Sequence, residues 1–161
     1  MSKEKSIKTN AMRILDKNNT QYSVTTYDTS DGKIDGVSVA EKVNRNKEEV
    51  FKTLVTISNS KNLYVFLIPV AEELDLKKAA KTVGEKSVEM LKSKDLLSLT
   101  GYIHGGCSPI GMKKEYKTII NESAKELNEI VFSAGKIGYQ INIELLELEK
   151  VLNFTYADVI K

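Results

Sequence analysis

A chain of 161 residues with 41% hydrophobic and 29% charged side chains has the make-up of one globular domain, residues 1–161, long enough to bury about two-thirds of its unfolded surface. The lone cysteine, Cys107, excludes an intramolecular disulfide and fits a reducing compartment, and no apolar run approaches the roughly 18 residues that a membrane span needs. A net charge of +2 is too mild to argue for nucleic acid by itself, so any RNA contact must come from local clusters of cations. The charged start, Met-Ser-Lys-Glu-Lys, lacks the apolar core of a signal peptide, and the expected location is the cytoplasm.

In chain order, Ile7, Ala11, Met12 and Leu15 have helical spacing from about Ser6 to Lys17. Tyr22, Val24 and Thr26 alternate with polar residues as in a short strand ending near Tyr27, and the polar stretch Asp28–Gly36 is a loop. Ser38-Val-Ala-Glu41 has capping-box spacing and Asn46-Lys-Glu-Glu49 a looser version of it, which predicts two short helices. The β-rich runs Thr53–Ser58 and Leu63–Pro69 flank Asn59-Ser60-Lys61-Asn62, a hairpin by composition. Asp75 caps a helix running to about Val83, which Gly84 ends. A helix near Lys92–Leu99 then precedes a glycine-dense segment, Gly101–Gly111. Short strands are expected at Lys117–Ile120, Glu129–Ser133 and Gln140–Ile143, and a helix over Glu144–Leu152 with Leu145, Leu148 and Leu152 inward. Helices and strands interleave irregularly around hairpins, the pattern of an α+β fold with a mixed sheet.

Few side chains offer chemistry. His104 is the sole histidine, so neither a histidine-rich metal site nor a histidine relay is available. Cys107, three residues on, could pair with it as a nucleophile. No third orienting group is evident, however, and Cys107 reads better as a small packed residue. The glycines of Gly101-Tyr-Ile-His-Gly-Gly-Cys-Ser-Pro-Ile-Gly111 and the Gly135-Lys136 pair match neither a P-loop nor a dinucleotide fingerprint. They either form tight turns that demand positive φ or bring bare backbone close to a ligand. Lys52 heads the strand Lys-Thr-Leu-Val-Thr-Ile, Lys77 and Lys81 share a helix face, and Lys113, Lys114 and Lys117 are placed to meet phosphates.

Four segments gain meaning together: Val50-Phe-Lys-Thr-Leu54; Leu74-Asp-Leu-Lys-Lys-Ala79; Thr100-Gly-Tyr102 through Gly105-Gly106 to Ser108-Pro-Ile-Gly111-Met-Lys-Lys114; and Ser133-Ala-Gly-Lys-Ile-Gly138. In this order and spacing, over almost the whole chain, they resemble the YbaK/EbsC family of tRNA-editing domains, related to the insertion of prolyl-tRNA synthetase. The resemblance implies a mixed, barrel-like β-sheet flanked by helices, and hydrolysis of Cys-tRNA(Pro) with no metal and no cofactor. It implies that Lys52 contacts the aminoacyl end of the tRNA and does the catalytic work. Tyr27 would stand at the pocket mouth, and the backbone at Gly101, together with Tyr102, Ser133, Gly135 and Gln140, would bind that end. The implied chemistry is substrate-assisted: the cysteine sulfur attacks its own ester. Partners implied are the aminoacylated 3′ end of tRNA and prolyl-tRNA synthetase, with no membrane.

The chain departs from the family pattern at Gln140 and Asn142, where members often carry acidic residues, and near Asp35, where members often carry an aromatic residue. Loss of a carboxylate changes how a substrate amino group is held. A deacylase of another misacylated tRNA, or a noncatalytic module that binds tRNA or a synthetase, are the alternatives the sequence leaves open, beside a domain whose glycine loops are merely turns.

Overall fold

A computed structural model of the chain describes residues 7–161; the charged start and the expected helix start at Ser6 lie outside them. The elements are α1 (Asn10–Lys17), β1 (Ser23–Thr26), α2 (Gly36–Lys42), β2 (Phe51–Ser58), β3 (Leu63–Pro69), α3 (Leu76–Val83), β4 (Val88–Met90), α4 (Ser93–Thr100), β5 (Lys117–Asn121), a 3₁₀ turn (Glu122–Glu126), β6 (Glu129–Ser133), β7 (Tyr139–Glu144), α5 (Leu145–Leu148) and β8 (Phe154–Ala157). The fold is mixed α+β. None of its helices is long and apolar enough to cross a membrane, among the described residues.

The strands pair in two open sheets, one of order β1-β7-β6 and one of order β4-β2-β3-β5-β8. The larger sheet is mixed: β2 runs antiparallel to β3 and β4, while β3, β5 and β8 run parallel. Both of its faces are covered. Val65, Leu67 and Ile120 face the main core, with Ala11, Met12 and Leu15 of α1 and Phe132 and Ile141 of the smaller sheet. Phe66, Ile68 and Ile119 face Ala79 and Ala80 of α3. Burial on two sides explains why β3 reads as an unbroken apolar run and not as an alternating one.

A seam joins the sheets. Val50 pairs with Val131 in an isolated parallel bridge, and the Val131 amide donates to the Glu49 carbonyl (2.9 Å). Ala40 of α2 packs over this point with Val50, Val70 and Val131. Arg45 ties the flank, donating to Glu49 (3.0 Å), Glu129 (3.0 Å) and the Asn142 side-chain oxygen (3.3 Å).

Several boundaries differ from those the spacing predicts. The helix α1 starts at Asn10 because the Thr9 hydroxyl caps it, accepting from the Met12 amide at 3.2 Å. The cap of α2 is Asp35 and not Ser38: the Asp35 carboxylate accepts from both the Ser38 amide (3.2 Å) and hydroxyl (2.7 Å). The helix expected at Asn46 is a single turn, because Val50 is already committed to the seam. The last helix stops at Leu148 instead of Leu152, since the chain must turn for Phe154 to pair with Thr118. The strands β4 and β8 are the edges of the larger sheet, too short and too exposed to show a pattern.

Phe132 is fully buried on β6 between seam and site. Truncation to alanine is expected to cost about 3–5 kcal/mol, read as a lower denaturation midpoint in urea at unchanged slope. A loss below about 1 kcal/mol would contradict the packing described.

Candidate functional site

The seam sets the level of the site. From the paired valines, Lys52 and Ser133 each lie two residues further along parallel segments, and a two-residue step keeps a side chain on the same face of its strand. Ser133 pairs with Gln140 on β7, and Gln140 with Thr25 on β1, so the row crosses the smaller sheet. These residues border a cavity of about 180 Å³, whose apolar wall is Val39, Val50, Phe51, Val70 and Leu96. Tyr27 stands on its edge, and the start of α2 roofs it at Asp35 and Gly36. That roof sits so close that a β-carbon on Gly36 would come within 2.6 Å of the Val70 side chain.

Of the residues expected to form a site, Tyr27, Lys52, Ser133 and Gln140 share this cavity. Gly101, Tyr102 and Gly135 are not on its wall. Gly101 ends α4 in the left-handed conformation (φ 89°), its amide donating to Leu97, and the Lys113 side chain lies over it. Tyr102 is buried, and its hydroxyl donates to the Ile110 carbonyl. Its ring packs so tightly on Gly135 (φ 97°) that a β-carbon there would come within 2.7 Å. Tyr102 thus clamps one glycine segment to the other. The two segments also touch at Gly106, which abuts Ile137, and between them Gly105 reaches the cavity wall.

Lys52 is partly buried, and no hydrogen bond or ion pair engages its ammonium among the described residues. Burial lowers its pKa below the ordinary lysine value, a shift that the charges of Glu73 and Glu72 oppose. Gln140 is only 5% exposed, and its amide makes one long hydrogen bond, 3.4 Å to the Tyr139 carbonyl. The Ser133 hydroxyl accepts from the Gly135 amide at 3.1 Å, which fixes the turn after β6. Beside Lys52, the Thr53 hydroxyl is sealed in the wall without a hydrogen-bond partner. At the edge, Lys42 stacks 5.9 Å from the centre of the Tyr27 ring while donating to Asp31 and to the carbonyls of Asp28 and Lys33.

Sequence reasoning missed Asp35, Thr53 and Gly105 as wall residues. Asp35 did carry a signal, an Asp followed three residues later by Ser, but that signal reads only as a cap. His104 and Cys107 also border the cavity, and no hydrogen bond joins them among the described residues. Burial pushes the Cys107 thiol up to about 12, the Thr100 hydroxyl opposing it. At neutral pH it is a thiol and not a thiolate, and so a poor nucleophile. Alkylation of Cys107 by iodoacetamide at pH 8 should therefore run on the order of a hundredfold or more slower than that of free cysteine, followed by mass spectrometry. Labelling at the free-cysteine rate would show an activated thiol.

The family model of the aminoacyl-tRNA editing domain matches residues 35–151, a span that holds both glycine segments, Lys52 and the seam. A curated protein of Enterococcus faecalis, EbsC, named as a candidate Cys-tRNA(Pro)/Cys-tRNA(Cys) deacylase, is 44% identical over 152 residues, which cover 94% of this chain and 93% of that protein. Among solved structures, a candidate trans-editing enzyme for prolyl tRNA synthetase superposes with a TM-score of 0.83 at 21% identity, over 97% of this chain and 99% of its own. The hypothetical protein APE2540 superposes with a TM-score of 0.84 at 16% identity, over 95% and 100%. At such identities these two structures speak to the fold alone.

Proposed function

The chain belongs to the aminoacyl-tRNA editing domain family, and on that premise we propose that it hydrolyses Cys-tRNA(Pro), with the aminoacyl ester seated in the cavity beside Lys52. The observation that supports this most is the pairing of an unengaged, partly buried ammonium with a small apolar wall, where the one cysteine is held as a neutral thiol. Such a cavity suits a substrate that brings its own nucleophile.

The sulfur of the bound cysteine attacks its own ester carbonyl. The new C–S bond closes a four-membered thiolactone, the C–O bond to ribose breaks, and the thiol proton leaves with the ribose hydroxyl. Water then opens the thiolactone, forming a C–O bond and restoring the thiol, and free cysteine departs. An intramolecular attack gains from orientation, which the apolar wall supplies by fixing the side chain. Negative charge builds on the carbonyl oxygen during addition, and the partly buried Lys52 ammonium meets it beside an apolar wall. Burial makes that ammonium costly to keep and effective when kept, because its field is poorly screened.

Tyr102 and Gly135 hold the two glycine segments together behind the wall, Gly101 ends α4 beside Lys113, and Tyr27, Ser133 and Gln140 contact the aminoacyl end. Lys114 and Lys117, both exposed, face the tRNA phosphates, and prolyl-tRNA synthetase supplies further contacts that a net charge of +2 does not. Charged tRNA places the reaction in the cytoplasm. Since the name of the E. faecalis relative covers Cys-tRNA(Cys) as well, both tRNAs belong in the assay.

Purified protein should release cysteine from Cys-tRNA(Pro) and Cys-tRNA(Cys) and leave Ala-tRNA(Pro), which brings no thiol, intact. Binding without turnover would point instead to a noncatalytic tRNA-binding module. Lys52→Ala should lower kcat by on the order of 10² or more, the loss of one preorganised donor, and near-normal turnover would remove Lys52 from the chemistry. The pKa direction gives a further outcome. The catalytic ammonium is lost as pH rises through a pKa below that of ordinary lysine, so turnover above the spontaneous rate falls early on the alkaline side. In Lys52→Arg the guanidinium stays charged, and the fall should move to higher pH in a pH–rate profile. An unmoved alkaline limb would show that another group titrates there.

A further inference from the structure

Among the described residues that border the cavity, Asp35 alone carries a carboxylate and Lys52 alone carries a lysine or arginine cation. An aminoacyl ester has matching polarity, with an ammonium on the α-carbon and a carbonyl oxygen that turns negative during reaction. From this complementarity we infer that Asp35 receives the α-ammonium group and selects esters of free amino acids over N-acylated ones, an inference that rests on the aminoacyl ester occupying the cavity.

Asp35 is exposed at the cavity edge, and its carboxylate is held there by capping α2. Its two carboxylate oxygens accept from the Ser38 hydroxyl (2.7 Å) and amide (3.2 Å), one bond each, so each oxygen keeps room for another donor. The helix start cannot shift inward, because Gly36 already rests against Val70. No ion pair engages Asp35 among the described residues, and the neighbouring cation, Lys42, is spent on Asp31 (2.7 Å) and on two loop carbonyls. Other wall acceptors are neutral: the Gln140 amide and the Ser133 hydroxyl make weaker bonds to an ammonium than a carboxylate does. With the ammonium at Asp35 and the carbonyl at Lys52, two charges on separate elements, α2 and β2, fix the direction of the ester. A peptidyl or formylated ester lacks the ammonium and would leave the Asp35 charge unmatched, so peptidyl- and formylmethionyl-tRNA are spared.

The test uses a stable probe, adenosine bearing cysteine through a 3′-amide in place of the ester, in free-amine and N-acetyl forms. Affinity is measured by calorimetry for the native chain and for Asp35→Asn, asparagine being an equally good helix cap. The native chain is expected to favour the free amine by about tenfold or more, the value of a hydrogen bond to a charged group. Asp35→Asn should abolish that preference while binding the N-acetyl form as before. Equal native affinities, a preference that survives in Asp35→Asn, or no binding of either form would overturn the inference. A preference in a chain that releases no cysteine from tRNA would sink the deacylase function and leave the ammonium site standing; turnover with a preference indifferent to Asp35 would do the reverse.

Discussion

The seam between the two sheets is the constraint on which the site depends. A single parallel bridge, Val50 to Val131, fixes the height of β2 against β6, and Ala40 locks α2 across it. From there the positions of Lys52, Ser133 and Gln140 follow by strand geometry, and that of Asp35 by the start of the helix. A slip of one residue at the bridge would turn Lys52 and Ser133 to opposite faces. The main core, which packs α1 and the smaller sheet onto the larger one, holds this register from behind.

The same arrangement explains how a charged group is tolerated near a core. Lys52 is partly buried and keeps its charge at a cost, seen in its lowered pKa, with Glu72 and Glu73 supplying part of the compensation from the turn after β3. A fully paired lysine would be cheaper and useless for stabilising developing charge. The cavity therefore shows the kind of local disagreement with stability that functional sites tolerate: an unengaged ammonium, an unpartnered Thr53 hydroxyl and a nearly unpartnered Gln140 amide around one space. Around it, polar groups are well matched, as in the Arg45 and Asn142 network.

Much of the fold was legible in the sequence because local physics and packing agree there. The hairpin of β2 and β3, the Asp75-capped α3 ended by Gly84, and β6 stand where their patterns predict. Signals failed where tertiary demands overrode them. Asn46 resembles a cap, yet the seam needs Val50 extended; the Leu145–Leu152 repeat is helical in period, yet β8 must begin at Phe154. For the site, the family resemblance pointed to Lys52, Tyr27, Ser133 and Gln140, residues that the coordinates gather around one cavity. It could not separate wall from support: Tyr102 and Gly135 hold each other behind the wall, a relation set by ring-to-backbone contact that no linear motif records. Asp35 was hidden because its visible role, capping α2, satisfies the residue without any ligand.

Lys52 can act only if the aminoacyl ester lies beside it. The most direct measurement is a crystal structure of the chain with a 3′-amide analogue of cysteinyl-adenosine. The amino acid is expected inside the cavity, its carbonyl oxygen about 3 Å from the Lys52 ammonium, if Lys52 stabilises the developing charge. An analogue bound elsewhere, or seated with its carbonyl turned away from Lys52, would contradict that role.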